Sequence, residues 1–156
     1  MYATRARRGF SLIELVIVVV IIGIIAAIAI PRMSRGATGA ADSALASNLA
    51  VLRSAIDLFQ TEHGGTYPLV AKFEAQLTTF SNDNGDPNAT KDTDYIFGPY
   101  LRAIPPLPVG AKKGATGVAA ADAAGIGWIY DEDTGTIRAN TEATEKDARG
   151  VLYSAY

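Results

Sequence analysis

The chain opens with a continuous apolar run and continues, after Pro31, with apolar and polar positions at helical spacing. The run covers residues 10–30, in which Glu14 is the only charged residue. At 1.5 Å per residue, a helix of this length reaches about 31 Å, which matches the hydrocarbon core of a bilayer. The pattern therefore predicts a membrane-spanning helix that carries one carboxylate inside its apolar segment.

An amphipathic helix is predicted to follow the apolar one without a break. Apolar residues recur there at spacings of four, three, four and three, namely at Leu45, Leu49, Leu52, Ile56 and Phe59. Such a stripe is typical of a helix face packed on a core, and the pair Gly64-Gly65 is expected to end the helix. Pro31 lies within this long helix, where its missing N–H and its ring favour a kink.

The remaining residues, 65–156, contain the shorter segments of a small domain. Residues 70–80 predict a second helix, and residues 111–125 are rich in glycine and other small residues, which predicts a loop. Residues 127–139 predict a β-hairpin, because two short β-prone runs flank a polar turn. Trp128 and Tyr130 share one face of the first strand, so we expect the long helix to receive both rings.

Charge and composition restrict the possible functions. The first nine residues contain Arg5, Arg7 and Arg8 and no acidic residue. This positive segment should stay in the cytoplasm, which places everything after Pro31 beyond the membrane. Without those nine residues, 11 basic and 16 acidic residues give a net charge near −5, so binding of nucleic acid through a basic surface is not expected.

Candidate catalytic chemistry is scarce. His63 is the only histidine, and a helix C-terminus is an ordinary place for one because the imidazolium interacts well with the dipole. The chain has no cysteine, which excludes disulfides and zinc sites of the Cys/His type. We therefore expect a protein that is not an enzyme and that needs no catalytic cofactor.

The apolar run allows three interpretations. It can be a signal anchor in which Glu14 reaches toward the membrane interface. It can be a secretory signal cleaved after Ala29, since residues 27–29 form an A-x-A site, and Arg7-Arg8 even suggests a twin-arginine signal. In the third interpretation, cleavage falls between Gly9 and Phe10, and the apolar helix stays in the mature protein.

The string Gly-Phe-Ser-Leu-Ile-Glu at residues 9–14, the length of the apolar run and Pro31 resemble the type III leader of type IV pilins and type II secretion pseudopilins. The resemblance covers about the first 31 residues. It implies that a prepilin peptidase cleaves after Gly9 and methylates the new amine of Phe10. It also implies that Glu14 pairs with that amine, preferentially in a neighbouring subunit, and so sets the register of assembly.

The same resemblance implies a pilin fold of the α+β class. A long hydrophobic and amphipathic N-terminal helix, kinked near Pro31, would pack by its C-terminal half against a small antiparallel β-sheet cap. The expected divisions are a leader at 1–9, a transmembrane and assembly helix at 10–30, its amphipathic continuation at 31–64 and a globular cap at 65–156. Within the cap, the Gly-Pro-Tyr-Leu segment and the Trp-containing hairpin are similar to major pseudopilins.

Three functions remain open on this basis. The chain can be a structural subunit of a type II secretion pseudopilus that supports protein export, a type IV pilin of an extracellular pilus used in adhesion, motility or DNA uptake, or a monomeric membrane-anchored periplasmic binding module. The absence of a cysteine favours the pseudopilin, because many type IV pilins close a C-terminal loop with a disulfide.

The resemblance also implies partners and a location. The partners are further copies in a helical filament, the prepilin peptidase, an assembly ATPase, a platform protein and minor pseudopilins. Before assembly, the chain would cross the inner membrane once with its C-terminal domain in the periplasm. After assembly, it would lie in a periplasmic pseudopilus or an extracellular pilus.

One polar loop, residues 81–94, offers oxygen atoms of the type that calcium prefers. The candidate ligands are Asp83, Asp86, Asp92 and Asp94. Calcium stabilises a C-terminal loop in several major pseudopilins, but this run lacks the regular ligand spacing of an EF-hand. A solvated surface loop is the alternative interpretation.

Overall fold

The computed structural model describes residues 10–156, except for the side chains of residues 30–35. The predicted leader 1–9, including Gly9, lies outside the described residues. The helices are α1 (Leu12–Glu62), a 3₁₀ helix (Val70–Lys72), α2 (Phe73–Thr78) and a second 3₁₀ helix (Tyr153–Ala155). The strands are β1 (Phe80–Ser81), β2 (Pro87–Asn88), β3 (Gly117–Ala119), β4 (Ile126–Asp131) and β5 (Thr136–Ala139). The chain is therefore α+β, consistent with a pilin fold.

Helix α1 comprises 51 residues and includes position 31, so the proline is accommodated without ending the helix. The predicted kink at Pro31 stays a prediction. At the C-terminal end, Gly64 and Gly65 adopt positive φ angles of 64° and 92°, and the N–H of Gly65 donates to the carbonyl oxygen of Gln60 at 2.8 Å. This is the glycine-dependent helix end that the sequence predicts.

The chain divides into two compact units at the step from Ala37 to Thr38. In the first unit, the helical stretch Leu12–Ala29 is long and apolar enough to cross a membrane, and none of it is buried. The side chain of Phe10 is 83% exposed. Within this unit the helix consequently presents its apolar residues outward on all sides, as a lipid-embedded or subunit-packed helix would.

The second unit has one hydrophobic core. The predicted stripe of α1 is confirmed, because its five members are at most 1% exposed, namely Leu45, Leu49, Leu52, Ile56 and Phe59. Trp128 and Tyr130 are fully buried in the same cluster. The indole Nε1 of Trp128 also donates to the carbonyl oxygen of Pro105 at 2.8 Å, which satisfies its polar atom.

The three-stranded sheet has the order β3-β4-β5. Strands β4 and β5 form the predicted antiparallel hairpin, with Trp128 opposite Ala139 and Tyr130 opposite Ile137. Strand β3 pairs parallel to β4, so this sheet is mixed, while β1 and β2 form a separate antiparallel pair. Residues 111–125 were predicted to form a loop, but they contribute strand β3 to the sheet.

Close backbone approach explains why glycines occupy this part of the sheet. A Cβ atom on Gly127 would lie 2.2 Å from the carbonyl oxygen of Ala115, and one on Gly117 would lie 2.7 Å from that of Gly125. These glycines weaken the local strand preference from which a prediction is made. They also permit the pairing itself, which involves residues distant in the sequence.

Candidate processing and assembly site

The N-terminal site is built around the first turn of α1. Phe10 and Ser11 precede the helix, and the N–H of Leu15 donates to the carbonyl oxygen of Ser11 at 3.2 Å, which makes Ser11 the N-cap residue. The N–H of Ser11 donates to Oε2 of Glu14 at 2.8 Å. The carboxylate thus satisfies a main-chain donor at the end of its own helix.

This contact was absent from our sequence-based interpretation of Glu14. The spacing Ser-x-x-Glu at residues 11–14 is that of a capping box, so the sequence does contain a signal for it. In the full-length chain, the nitrogen of Phe10 is part of a peptide bond, and the predicted pairing with a free amine requires cleavage first. Glu14 therefore has a local partner before cleavage, and the predicted amine pairing concerns the processed chain.

The only histidine lies just beyond α1 and is 6% exposed. Nδ1 of His63 is 2.8 Å from the carbonyl oxygen of Phe59, and Nε2 is 3.1 Å from Oγ of Ser81. Its ring stacks on that of Phe59, with 3.9 Å between the centroids. These contacts join the end of α1 to strand β1.

A serine hydroxyl beside a histidine is also the arrangement of a catalytic nucleophile and its general base. Ser81 is fully buried, so its hydroxyl is not accessible to a substrate. The second ring nitrogen of His63 faces a main-chain carbonyl oxygen instead of the carboxylate that would orient a catalytic imidazole. The pair therefore fits a structural role.

The polar loop does not gather the four predicted calcium ligands. Asp86 forms a salt bridge with Lys72 at 2.9 Å, and the hydrogen bond from Lys72 lowers the pKa of its carboxyl. Asp92 accepts the N–H groups of Asp94 and Tyr95, so it closes a local turn. Across residues 10–156, no group of three or more His, Cys, Asp or Glu side chains is placed to hold a metal ion.

Calcium binding to this loop therefore stays a prediction. It requires a rearrangement that brings Asp86 and Asp92 to the cleft that Asp83 and Asp94 line. If calcium binds, a fragment beginning at Thr38 should melt at a lower temperature after chelation, because a ligand of the native state stabilises it by mass action. Thermal unfolding with and without millimolar calcium measures this. An Asp83→Asn variant should lose the calcium response. An unchanged wild-type melting curve would indicate that the loop is a solvated surface that does not bind calcium.

The C-terminal residues are attached to α1 by polar contacts. The hydroxyl of Tyr153 donates to Oδ1 of Asp42 at 2.8 Å, and the N–H of Ala148 donates to Oδ2 of the same carboxylate at 2.9 Å. Arg53 donates to the main-chain oxygen of Tyr156 at 2.6 Å. The two partners in each contact are more than 100 positions apart in the sequence, which is why no local pattern identifies them.

Within the C-terminal segment itself, Asp147 is the central hydrogen-bond acceptor, and its side chain is fully buried. It accepts the main-chain N–H groups of Arg149 and Val151, the Nε of Arg149 and the hydroxyl of Tyr156, at 2.8–2.9 Å. Burial raises the pKa of the Asp147 carboxyl, but these hydrogen bonds outweigh it and hold the pKa well below its usual range. An ionised carboxylate thus orders the C-terminal segment, in which the chain has no cysteine to form a disulfide.

Comparison with known proteins supports the N-terminal site. Residues 4–30 match the family model described as the prokaryotic N-terminal methylation motif. No curated protein and no solved structure matches the chain. The match spans a small part of the 156 residues, so it concerns the N-terminal segment alone.

The motif and the apolar helix together define a class of protein. They support a type IV pilin-like substrate of a prepilin peptidase, with a membrane-anchored precursor. Pilin-like proteins that carry this motif are structural rather than catalytic.

Proposed function

We propose that this chain is a structural subunit of a type II secretion pseudopilus that supports protein export. In this proposal, a prepilin peptidase cleaves between Gly9 and Phe10 and methylates the new amine. The chain then polymerises through the N-terminal part of α1. An assembly ATPase, a platform protein and minor pseudopilins are the partners that assembly would require.

The observation that carries the proposal is the exposure of the apolar helix. Over Leu12–Ala29, no residue is buried within the chain itself. Apolar surface of this extent needs a nonaqueous environment, which lipid supplies before assembly and neighbouring helices would supply in a filament. The same helix can therefore move from the bilayer into a filament without exposing its apolar residues to water.

Glu14 fits this proposal because it has capacity for a second partner. Oε2 accepts the N–H of Ser11, and among residues 10–156 Oε1 has no hydrogen-bond partner. Oε1 can accept a hydrogen bond from the amine of a neighbouring Phe10. A carboxylate within an apolar helix is costly unless it is paired, which favours assembly in the register that provides the amine.

Cleavage before the apolar helix is the first test. N-terminal sequencing of the membrane-extracted protein should begin at Phe10. Gly9→Leu should retain the leader, because a side chain at the scissile bond obstructs entry to the peptidase, whereas Ala3→Leu, in the same leader, should be processed normally. A mature protein that begins at Ile30 would contradict the proposal and indicate an ordinary secretory signal.

Deletion of the gene distinguishes the two kinds of filament. A pseudopilus subunit should be required for export of periplasmic proteins across the outer membrane, while surface filaments and motility stay intact. Loss of surface filaments with normal export would instead identify the chain as a type IV pilin. A processed chain that never forms filaments when overproduced with its assembly proteins would identify a monomeric anchored binding module.

A further inference from the structure

Three side chains outside the N-terminal site meet beside the hairpin. Nζ of Lys112 lies 3.1 Å from Oδ1 of Asn140 and 2.5 Å from Oδ1 of Asp122. Nδ2 of Asn140 donates to that same Asp122 oxygen at 2.8 Å. One carboxylate oxygen therefore contacts both an amine and the nitrogen of the carboxamide beside it.

The surrounding structure holds the amine and the carboxamide together. Asn140 is 4% exposed, its N–H donates to the carbonyl oxygen of Gly127 at 2.9 Å, and its Nδ2 also donates to that of Ile126 at 2.8 Å. Lys112 lies in a turn that is closed by a hydrogen bond, in which the N–H of Gly114 donates to the carbonyl oxygen of Leu107 at 2.7 Å. Reacting groups held in contact in this way gain a large effective concentration.

We propose that Lys112 and Asn140 form an intramolecular isopeptide bond with Asp122 as the proton carrier. The Lys112 ammonium first gives a proton to Asp122, and the neutral Nζ attacks Cγ of Asn140. Asp122 passes that proton to Nδ2, the C–N bond to Nδ2 breaks, and a second proton from Nζ leaves with the nitrogen. The ammonium and the carboxamide thus become one secondary amide and one ammonium ion, with no oxidant or other reactant.

The resting ion pair determines the rate of this reaction. Lys112 donates a hydrogen bond to Asp122 and thereby lowers the pKa of its carboxyl, so the proton normally stays on the amine. Attack on the amide follows this unfavourable proton transfer, and mild alkali should accelerate bond formation because only the neutral amine attacks. The carboxylate is needed to carry the proton to the leaving nitrogen.

The bond would join positions 28 residues apart and enclose β3, β4 and the whole of β5 in one covalent loop. Such a loop restricts the unfolded chain as a disulfide does, in a protein that has no cysteine. The segment 111–125 would thus contribute two of the three residues of the reaction, Lys112 and Asp122. The proposal does not depend on the kind of filament that the chain forms.

Trypsin digestion and mass spectrometry of the full-length, membrane-extracted chain test the proposal. In the wild type, cleavage after Lys112 should fail, and peptide 103–113 should be found joined to peptide 139–146, lighter than their sum by one ammonia. Lys112→Arg keeps the positive charge but should yield separate peptides. Lys113→Arg, one position away, should still be cross-linked, as peptide 103–113 also ends at the arginine.

The role of Asp122 has its own readout. Asp122→Ala should slow formation of the bond by about 100-fold or more, the scale of general acid–base catalysis. A wild-type chain that still yields separate peptides after long incubation of the folded protein at alkaline pH would overturn the proposal. Formation in Asp122→Ala at the wild-type rate would overturn the mechanism assigned to the carboxylate.

Discussion

Glu14→Gln is expected to yield a processed, membrane-resident chain that forms few or no filaments. The amide keeps the size of the side chain and can still accept the N–H of Ser11, so the helix should begin at the same residue. Without the charge, the amine of a neighbouring Phe10 would enter the filament core unpaired. Leaving one member of a buried ion pair alone costs about 3–5 kcal/mol, and that cost recurs with each added subunit.

The yield of sheared filaments measures this effect, and N-terminal sequencing of the monomer pool shows that processing is intact. Ser11→Ala is a suitable control, because it alters the adjacent residue and retains the main-chain N–H that contacts Glu14. Ser11→Ala should assemble nearly as well as the parent. A normal filament yield from cells that contain only Glu14→Gln would show that the charge is incidental and would favour a simple membrane anchor.

Leu52→Ala is expected to destabilise the second unit, residues 38–156, by about 2–5 kcal/mol, the usual cost of removing a large aliphatic side chain from a core. Leu52 is fully buried among the core residues that α1 and the hairpin share. The loss follows from the apolar area returned to water on unfolding and from the cavity that remains. Denaturant unfolding of a fragment that begins at Thr38 gives the free energy of unfolding directly.

Leu58→Ala provides the matched control for this substitution. Leu58 lies on the same helix, less than two turns away, and is 49% exposed. Its replacement should change the free energy of unfolding by about 0.5 kcal/mol or less, as is usual for surface positions. Equal losses for the two variants would show that the stripe of α1 does not face the core.

Local pattern was sufficient for much of the architecture. The apolar run, the stripe that includes Leu52, the glycine end of α1 and the β4–β5 hairpin all depend on neighbours within a few residues. Spacing along one helix or one strand decides which side chains share a face, so these elements follow from sequence alone. The segment Gly9–Glu14 belongs to the same group, because its residues are contiguous and the matching motif covers them.

Other features depend on residues that meet only after folding. Phe80 was expected to extend the second helix, but α2 ends at Thr78 and Phe80 belongs to β1, where it pairs with Asn88. The pairing of β3 with β4 similarly converts part of a predicted loop into sheet, because the glycines that weaken local preference also allow backbones to approach.

The same distinction applies to the polar sites. Sequence composition suggested that the aspartates of the polar loop could act together, yet Asp86 pairs with Lys72 and Asp92 closes a turn. Conversely, nothing near Asp42 or Lys112 in the sequence predicts the contacts that each makes. A charged group pairs with whichever partners the fold brings to it. The donors to Asp42 lie more than 100 residues away, and the acceptors for Lys112 lie 10 and 28 residues away. Local sequence therefore decided the helix and its N-terminal motif, whereas tertiary packing decided the partners of Asp42, Asp86 and Lys112.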